Sequence, residues 1–489
     1  MENMNVILKS FDGDPSEKTL LEAAFRDLPV HTCLSIANEP SVLPSLKAKD
    51  HRWMSAKNLR AGQYPDLDWN TIAPVDEELI EKMRHCEAQC LRMLERYAFP
   101  YDISFEKRKR QYLRHLKYWN HMLDRETIDL VLMNHVPHQC YDYVIYCLCK
   151  IKGIPTLYLD RALTTDSVFM VQDWKESSLE IRDRYKELNT RYRNSAEPVM
   201  LSENYEYLYS YYLQKQPIPW YKPKKNPDTY RGFFKKWCGR AVRLLFHNPA
   251  KLLAAVCSSE AWHRKLAEHR TFRLYEEHAK IPDLSVRYVY FPLHYQPEAS
   301  TNPIAGAYTD QEIMVQLLAS CLPPDIRIYV KEHPRQGERC RSEDFYHSLL
   351  GIPSVTFVPK DFDTYALTDR ALFVASGVGT VIFEAMIRRK PAVMFGHYFY
   401  QYAPGVHPVR TKEDCQMAVD TILGNQAPFS ERDVRLFLRA MDDCSTPSAG
   451  LPALSPHEKR SNAEKAELMG QMVARSIRAL DKPKRPEHA

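Results

Sequence analysis

The chain has 489 residues, of which 44% are hydrophobic, 26% charged and 11% aromatic, a globular composition that excludes collagen-like, low-complexity and disulfide-scaffold classes. At roughly 150 residues per domain, the length predicts about two to four domains. A net charge of +5 is small for this length and argues against nucleic acid as a partner of the whole protein.

The twelve cysteines show no CxxC and no paired metal-ligand spacing, so a reducing compartment is expected. The start, MENMNVILKSFDGD, lacks a basic stretch followed by an apolar one, and no signal peptide is expected. No window approaches 18 uncharged apolar residues, so no transmembrane helix is expected either.

In chain order, Asn5 to Leu8 reads as a strand, Pro15 to Arg26 as a helix and Val30 to Ile36 as a second strand, a βαβ rhythm. A helical insertion follows. From Pro74 to Tyr97, apolar residues at Leu79, Met83, Cys86, Cys90 and Met93 recur every three or four positions, a buried helical stripe that makes those cysteines core. Phe105 to Leu123 is the next helix, with a basic solvated face. Ile128 to Met133 is a short apolar run suited to a buried parallel strand, and a helix to Lys150 and a strand from Pro155 to Leu159 complete the unit. Asn134, His135 and His138 are thereby placed at the carboxyl end of a strand, where open α/β sheets hold ligands.

Residues 201–280 form a basic helical segment: 14 Lys and Arg against 5 Asp and Glu fall between 221 and 280, interleaved with Phe233, Phe234, Trp237 and Trp262. Such a segment predicts either contact with an anionic membrane surface or a helical hairpin packed on the N-terminal domain. A second α/β unit occupies 281–425. Strands are expected at Arg287 to Pro292, Arg327 to Lys331, Ser354 to Val358, Ala371 to Ala375 and Pro391 to Phe395, with helices between them, which calls for a parallel sheet. The expected domains are therefore 1–200, 201–280, 281–425, and 426–489 as C-terminal helices and a tail.

Three loops of the second unit carry candidate chemistry. Phe291 to Thr301 (FPLHYQPEAST) puts His294, Gln296 and Glu298 after the first strand. Lys331, His333, Pro334 and Arg335 follow the second, where Pro334 ends the ladder and the basic side chains are expected to converge on an anion such as a diphosphate or phosphodiester. Ser376, Gly377, Gly379 and Thr380 open a helix after another strand. Glycines there let backbone N–H groups approach a phosphate, and Glu384 one turn on could accept from ribose hydroxyls. The competing reading of this last loop is a helix N-cap by Ser376 or Thr380.

The order of these loops resembles the capsule polysaccharide biosynthesis family of glycosyltransferases, which includes bacterial transferases for the acidic sugar Kdo. The resembling residues are 291–301, the Asp310-Gln311 pair, YVKEHPR (329–335), SGVGTVIFEA (376–385) and KPAVMFG (390–396), with a weaker likeness over 128–176. The resemblance implies a GT-B-like α/β fold: two Rossmann-like domains with parallel sheets facing a central cleft, plus helical insertions. It also implies a nucleotide-sugar co-substrate held by the C-terminal domain, no other cofactor and no catalytic metal. His333 and Pro334 would hold the donor phosphate, Ser376, Gly379 and Thr380 would form the phosphate-side loop, and Glu384 would sit near the ribose. Ile382 departs from the family, which often carries Gly there.

A transferase must activate an acceptor hydroxyl, stabilise an oxocarbenium-like centre and neutralise the leaving phosphate. Lys331, His333 and Arg335 suit the last task. Glu298 or His294 is the expected base, with His135, His138 and Asp142 as N-terminal alternatives; Asp142, one turn into a helix, reads more simply as a capping or surface residue. The expected function is a cytoplasmic glycosyltransferase at the inner membrane face, acting on a surface polysaccharide or glycolipid acceptor, with CMP-Kdo as the first expected donor and UDP or GDP sugars as others. The alternatives are a GT-B-like nucleotide-sugar epimerase and a non-catalytic polysaccharide- or lipid-binding assembly factor.

Overall fold

The computed structural model describes residues 4–39, 46, 48–65, 67–95, 104–162, 165–214, 270–296, 298–336, 341–426, 428–451 and 453–480. Most of the basic segment, and the tail from 481, lie outside these residues. The chain divides into two compact units, residues 1–208 with 435–489, and residues 209–434.

The first unit is built on strands β1 (Met4–Lys9), β2 (Val30–Ala37), β3 (Asp50–Ser55), β4 (Leu130–Met133), β5 (Thr156–Ala162) and β6 (Ser167–Val171). The two-residue β13 (Thr446–Pro447) completes the sheet, in the order β13-β6-β5-β4-β1-β2-β3. The strands from β5 to β3 run parallel, while β6 turns back antiparallel on β5. Asp14 caps the helix Pro15–Ala24 by accepting from the Ser16 N–H, and Pro15 stands at its first position, where a missing N–H costs nothing. The apolar faces of β1, β4 and β5 bury Val6, Leu8, Leu130, Leu132, Leu157 and Leu159 against that helix.

The first unit departs from the sequence expectation in several places, β6 and β13 among them. β3 (DHRWMS) is half-buried along its length and carries no apolar alternation, so no strand period marks it. The expected helix from Pro74 to Tyr97 is two helices, Glu77–Lys82 and Arg84–Glu95, with a break at Met83; Cys86 and Cys90 are buried as expected. The C-terminal segment is not a separate 426–489 element: from 435 onward it returns to the first unit. Its helix Asn462–Ala479 buries Ala466, Met469, Met472, Val473 and Ile477 in the first core. Gly470 makes the close approach: a Cβ there would stand 2.4 Å from the Leu20 carbonyl oxygen.

The second unit holds β7 (Tyr288–Pro292), β8 (Arg327–Lys331), β9 (Val355–Val358), β10 (Val374–Ser376), β11 (Ala392–Met394) and β12 (Val406–Pro408), in the order β12-β11-β10-β7-β8-β9. All pairs are parallel, as the alternation of strands and helices requires. β12 is one strand more than expected. Val289, Phe291, Ile328, Val330, Phe357, Ala375 and Val393 fill its core. Among the described residues, no helix is long and apolar enough to cross a membrane.

Candidate functional site

In each sheet the strand order reverses once, between β7 and β10 in the second unit and between β1 and β4 in the first. Open α/β sheets bind ligands in the crevice beyond the carboxyl ends of the strands at that point. The candidate residues gather at these two places.

In the second unit, His294 follows β7 and the Ser376 to Thr380 loop follows β10. His294 is buried, and its Nε2 accepts the Val378 N–H at 2.9 Å and lies 3.2 Å from Ser376 Oγ. A ring nitrogen that accepts a backbone N–H carries no proton, so the ring is neutral with its hydrogen on Nδ1. Burial, with His333 and Arg341 nearby, pushes its pKa down to about 3. Gly377 has no room for a side chain, since a Cβ would come within 2.8 Å of His294 Nε2. The helix Thr380–Ile387 begins with Gly379 at its N-cap and no side-chain cap. The expectation that Ser376 or Thr380 caps this helix is therefore overturned. Ser376 is fully buried beside His294, and Thr380 Oγ1 donates to Glu384 Oε1 at 3.1 Å. Ile382 is fully buried.

The loop after β8 is organised by an ion pair that the sequence does not reveal. Arg341 Nε donates to Glu332 Oε2 at 2.9 Å, with both side chains buried. The same guanidinium donates to the His294 carbonyl at 2.8 Å and to Gln296 Oε1. Tyr346 OH donates to Glu332 Oε2 at 2.8 Å, and the Glu332 N–H donates to Tyr275 OH at 2.9 Å. Burial is the largest single influence and would raise the Glu332 carboxyl, but Arg341, together with Lys360 and the His333 N–H, holds the pKa below the usual range.

Several expectations are corrected here. Lys331 does not converge with His333 and Arg335 on an anion: it is buried, and its ammonium donates to the Phe362 carbonyl at 2.7 Å and to Thr364 Oγ1 at 2.9 Å. Strand alternation would put 331, 333 and 335 on one side, but β8 ends at Lys331, so that pattern does not extend to His333 and Arg335. His294 is not available as a base, because its lone pair is engaged by Val378. Gln296 is a framework residue, with its Nε2 donating to the Thr309 carbonyl at 2.9 Å. Glu298, Pro334 and Arg335 are exposed. The His333 ring lies 5.4 Å from that of Tyr295, its Nδ1 accepts the Arg335 N–H at 3.1 Å, and the Arg335 guanidinium lies 5.6 Å from the same tyrosine ring.

In the first unit, Lys9 at the end of β1 meets Asp142 at 2.6 Å, both side chains fully buried. Lys9 Nζ is also 3.2 Å from His135 Nε2, while His135 Nδ1 is 3.0 Å from the Val136 carbonyl. Together these bonds fit a neutral His135 protonated on Nδ1 and accepting from Lys9. His138 lies against His135, ring centroids 4.8 Å apart, with its Nδ1 2.8 Å from the Val136 carbonyl. Asp142 accepts the Gln139 N–H at 2.7 Å, so it caps locally, yet it is not a surface residue. Burial would raise its carboxyl, but Lys9 and then His138 hold it down to about 2. Sequence reasoning missed Lys9, although a lysine closing the apolar run of β1 is a visible signal; for Arg341 there was none.

Each unit is an α/β fold on a mainly parallel sheet with polar loops at its switch point, the class of unit that the resemblance implies. Residues 300–418 match the family described as "Capsule polysaccharide biosynthesis protein", which bears out the resemblance over that part of the chain. A comparison with curated proteins finds no match. Among solved structures, the chain is similar to the beta Kdo 2,7 transferase KpsC of Thermosulfurimonas dismutans, at 11% identity over 79% of this chain and 96% of that one, with a TM-score of 0.30. It is similar also to UDP-GlcNAc 2-epimerase from Methanocaldococcus jannaschii, at 12% identity over 90% of this chain and 98% of that one, TM-score 0.25. At such scores the backbones overlap only loosely.

Proposed function

We propose that the chain is a glycosyltransferase of surface-polysaccharide synthesis, moving a sugar from a nucleotide-sugar donor to a polysaccharide or glycolipid acceptor. The observation that carries this reading is the crevice between β7 and β10, where an uncapped helix start at Gly379 is held by His294 inside the segment that matches the capsule family. A helix N-terminus with glycine backbone beside it favours a phosphate group. His333 and Arg335, at the end of the neighbouring strand, are the groups to neutralise the leaving phosphate. With His294 engaged, Glu298 is the base candidate of this unit and His138 that of the first. The second unit takes the donor and the first the acceptor. CMP-Kdo is the first donor to try, and the basic segment 221–280 is the expected contact with the inner membrane face.

The test is thermal stabilisation of the full chain by CMP, UDP and GDP, on wild type and on His333→Ala. A nucleotide at 100 times its Kd adds about 2.7 kcal/mol, a shift of a few degrees. One nucleotide stabilising the wild type and losing its effect in the variant supports the reading. No response to any of the three overturns it.

A further inference from the structure

The first unit has a crevice of its own. Beyond the carboxyl ends of β1, β4 and β5 lies a cavity of about 230 Å³ that opens between the helix Pro15–Ala24 and the C-terminal segment. It sits at the switch point of the first sheet, the place where such a sheet binds ligands. Its polar wall is Asp14, Ser16, Glu17, Asn134 and Arg161, and its apolar wall includes Leu20, Leu451 and Met469.

The polar wall is rigid. Arg161 donates to the Asn134 carbonyl at 2.7 Å and to its Oδ1 at 2.8 Å. Asn134 Nδ2 in turn donates to the Ser10 carbonyl at 2.9 Å and to Glu17 Oε1. Glu17 Oε2 accepts the Gly13 N–H at 3.0 Å. Each side chain is thus fixed by another, which leaves little entropy to lose when a ligand binds. The guanidinium and the carboxylate still have donor and acceptor positions beyond these bonds.

The charges select the ligand class. Glu17 and Asp14 both line the cavity, against Arg161 as the cation among the described lining residues. Two carboxylates to one guanidinium repel a phosphate or a sugar acid. A neutral polyhydroxylated ring meets both walls: its hydroxyls pair with carboxylate, amide and guanidinium, and its C–H face lies on leucine and methionine. The volume is below the roughly 300–1,000 Å³ of sites for drug-sized ligands and suits a single sugar ring.

We infer that the Glu17, Asn134 and Arg161 cavity is a saccharide subsite for one neutral sugar ring. That this ring is part of the acceptor rests on the transferase reading; that the cavity holds a neutral sugar does not.

The experiment is saturation-transfer NMR on the full chain with methyl glycosides of glucose, galactose, mannose and N-acetylglucosamine, with glucuronate and inorganic phosphate as anionic probes. Short neutral oligosaccharides run in parallel separate a free sugar from a chain residue. Glu17→Gln removes a charged acceptor, and Leu451→Trp fills the cavity from a loop without disturbing the hydrogen-bonded wall. At least one neutral glycoside is expected to bind the wild type, to bind about tenfold more weakly to Glu17→Gln, and to lose binding in Leu451→Trp. Binding of the anionic probes alone, no glycoside binding, or glycoside binding unchanged in both variants overturns the inference. Nucleotide stabilisation measured on the same samples separates the two failures: sugars without nucleotides sink the transferase reading alone, and nucleotides without sugars sink only the subsite.

Discussion

His294 Nε2 and the backbone nitrogen of Val378 stand 2.9 Å apart, and this one bond joins the loops after β7 and β10 at the point where the sheet reverses its order. The backbone between them passes the ring so closely that only glycine fits at 377. Gly377→Ala is expected to force ring or loop aside at about 1–3 kcal/mol, and to abolish nucleotide stabilisation even where the fold survives. Denaturant unfolding and nucleotide thermal shifts on the one variant check both parts; an unaltered nucleotide shift would place the donor elsewhere.

Acid should weaken the fold through the same histidine. The folded protein takes up a proton at His294 only near pH 3, as it does at the buried His115, whereas the unfolded chain does so near 6.5. Between those values the unfolded state binds more protons, so stability is full above about pH 6.5 and declines as the pH falls toward 3. At pH 5 each histidine should withhold about 2 kcal/mol. Melting temperatures between pH 7.5 and 5 should fall accordingly, and His294→Gln should flatten the slope.

The Lys9–Asp142 pair has both members out of water, so breaking it differs from replacing it. Lys9→Met strands a buried carboxylate and is expected to cost about 3–5 kcal/mol. Lys9→Met with Asp142→Leu removes both charges and should recover a large part of that loss. A double-mutant cycle by urea unfolding reads the coupling; additive effects would mean that the two side chains are not paired in solution.

Arg341→Met should act on the second unit in the same way, removing the guanidinium that meets the buried Glu332 carboxylate, again at about 3–5 kcal/mol. Because Arg341 also holds the His294 carbonyl and Gln296, its loss should weaken nucleotide binding beyond the effect on stability. Tyr346→Phe, which removes one hydrogen bond to the same carboxylate, should cost about 1.5–3 kcal/mol and leave that binding in place.

Gly470→Val tests the return of the C-terminal helix to the first unit. The added side chain meets the Leu20 carbonyl and Ala23, and the helix Asn462–Ala479 should separate from the helix Pro15–Ala24. Limited proteolysis should then release a C-terminal fragment; resistance equal to wild type would contradict the packing.

The alternation of apolar runs with helical stripes sufficed to read two α/β units and, in 327–331, a strand to the residue. It sufficed because backbone period and core-facing side chains are local properties of the chain. The three loops of the second unit were legible for the same reason, since parallel strands send all their carboxyl-end loops to one edge. What those side chains do there was not. Lys331 looked like an anion ligand and is spent on Phe362 and Thr364; His294 looked like a base and serves as a backbone acceptor. Lys9 finds its partner across most of the first unit, and Arg341 finds Glu332 across a loop of no periodic pattern. A polar side chain is defined by the atom it meets, and that meeting depends on strand order and loop closure. The C-terminal helix shows the same limit: helices were expected after 425, but which core they would join depended on Gly470 and the surface of the first helix.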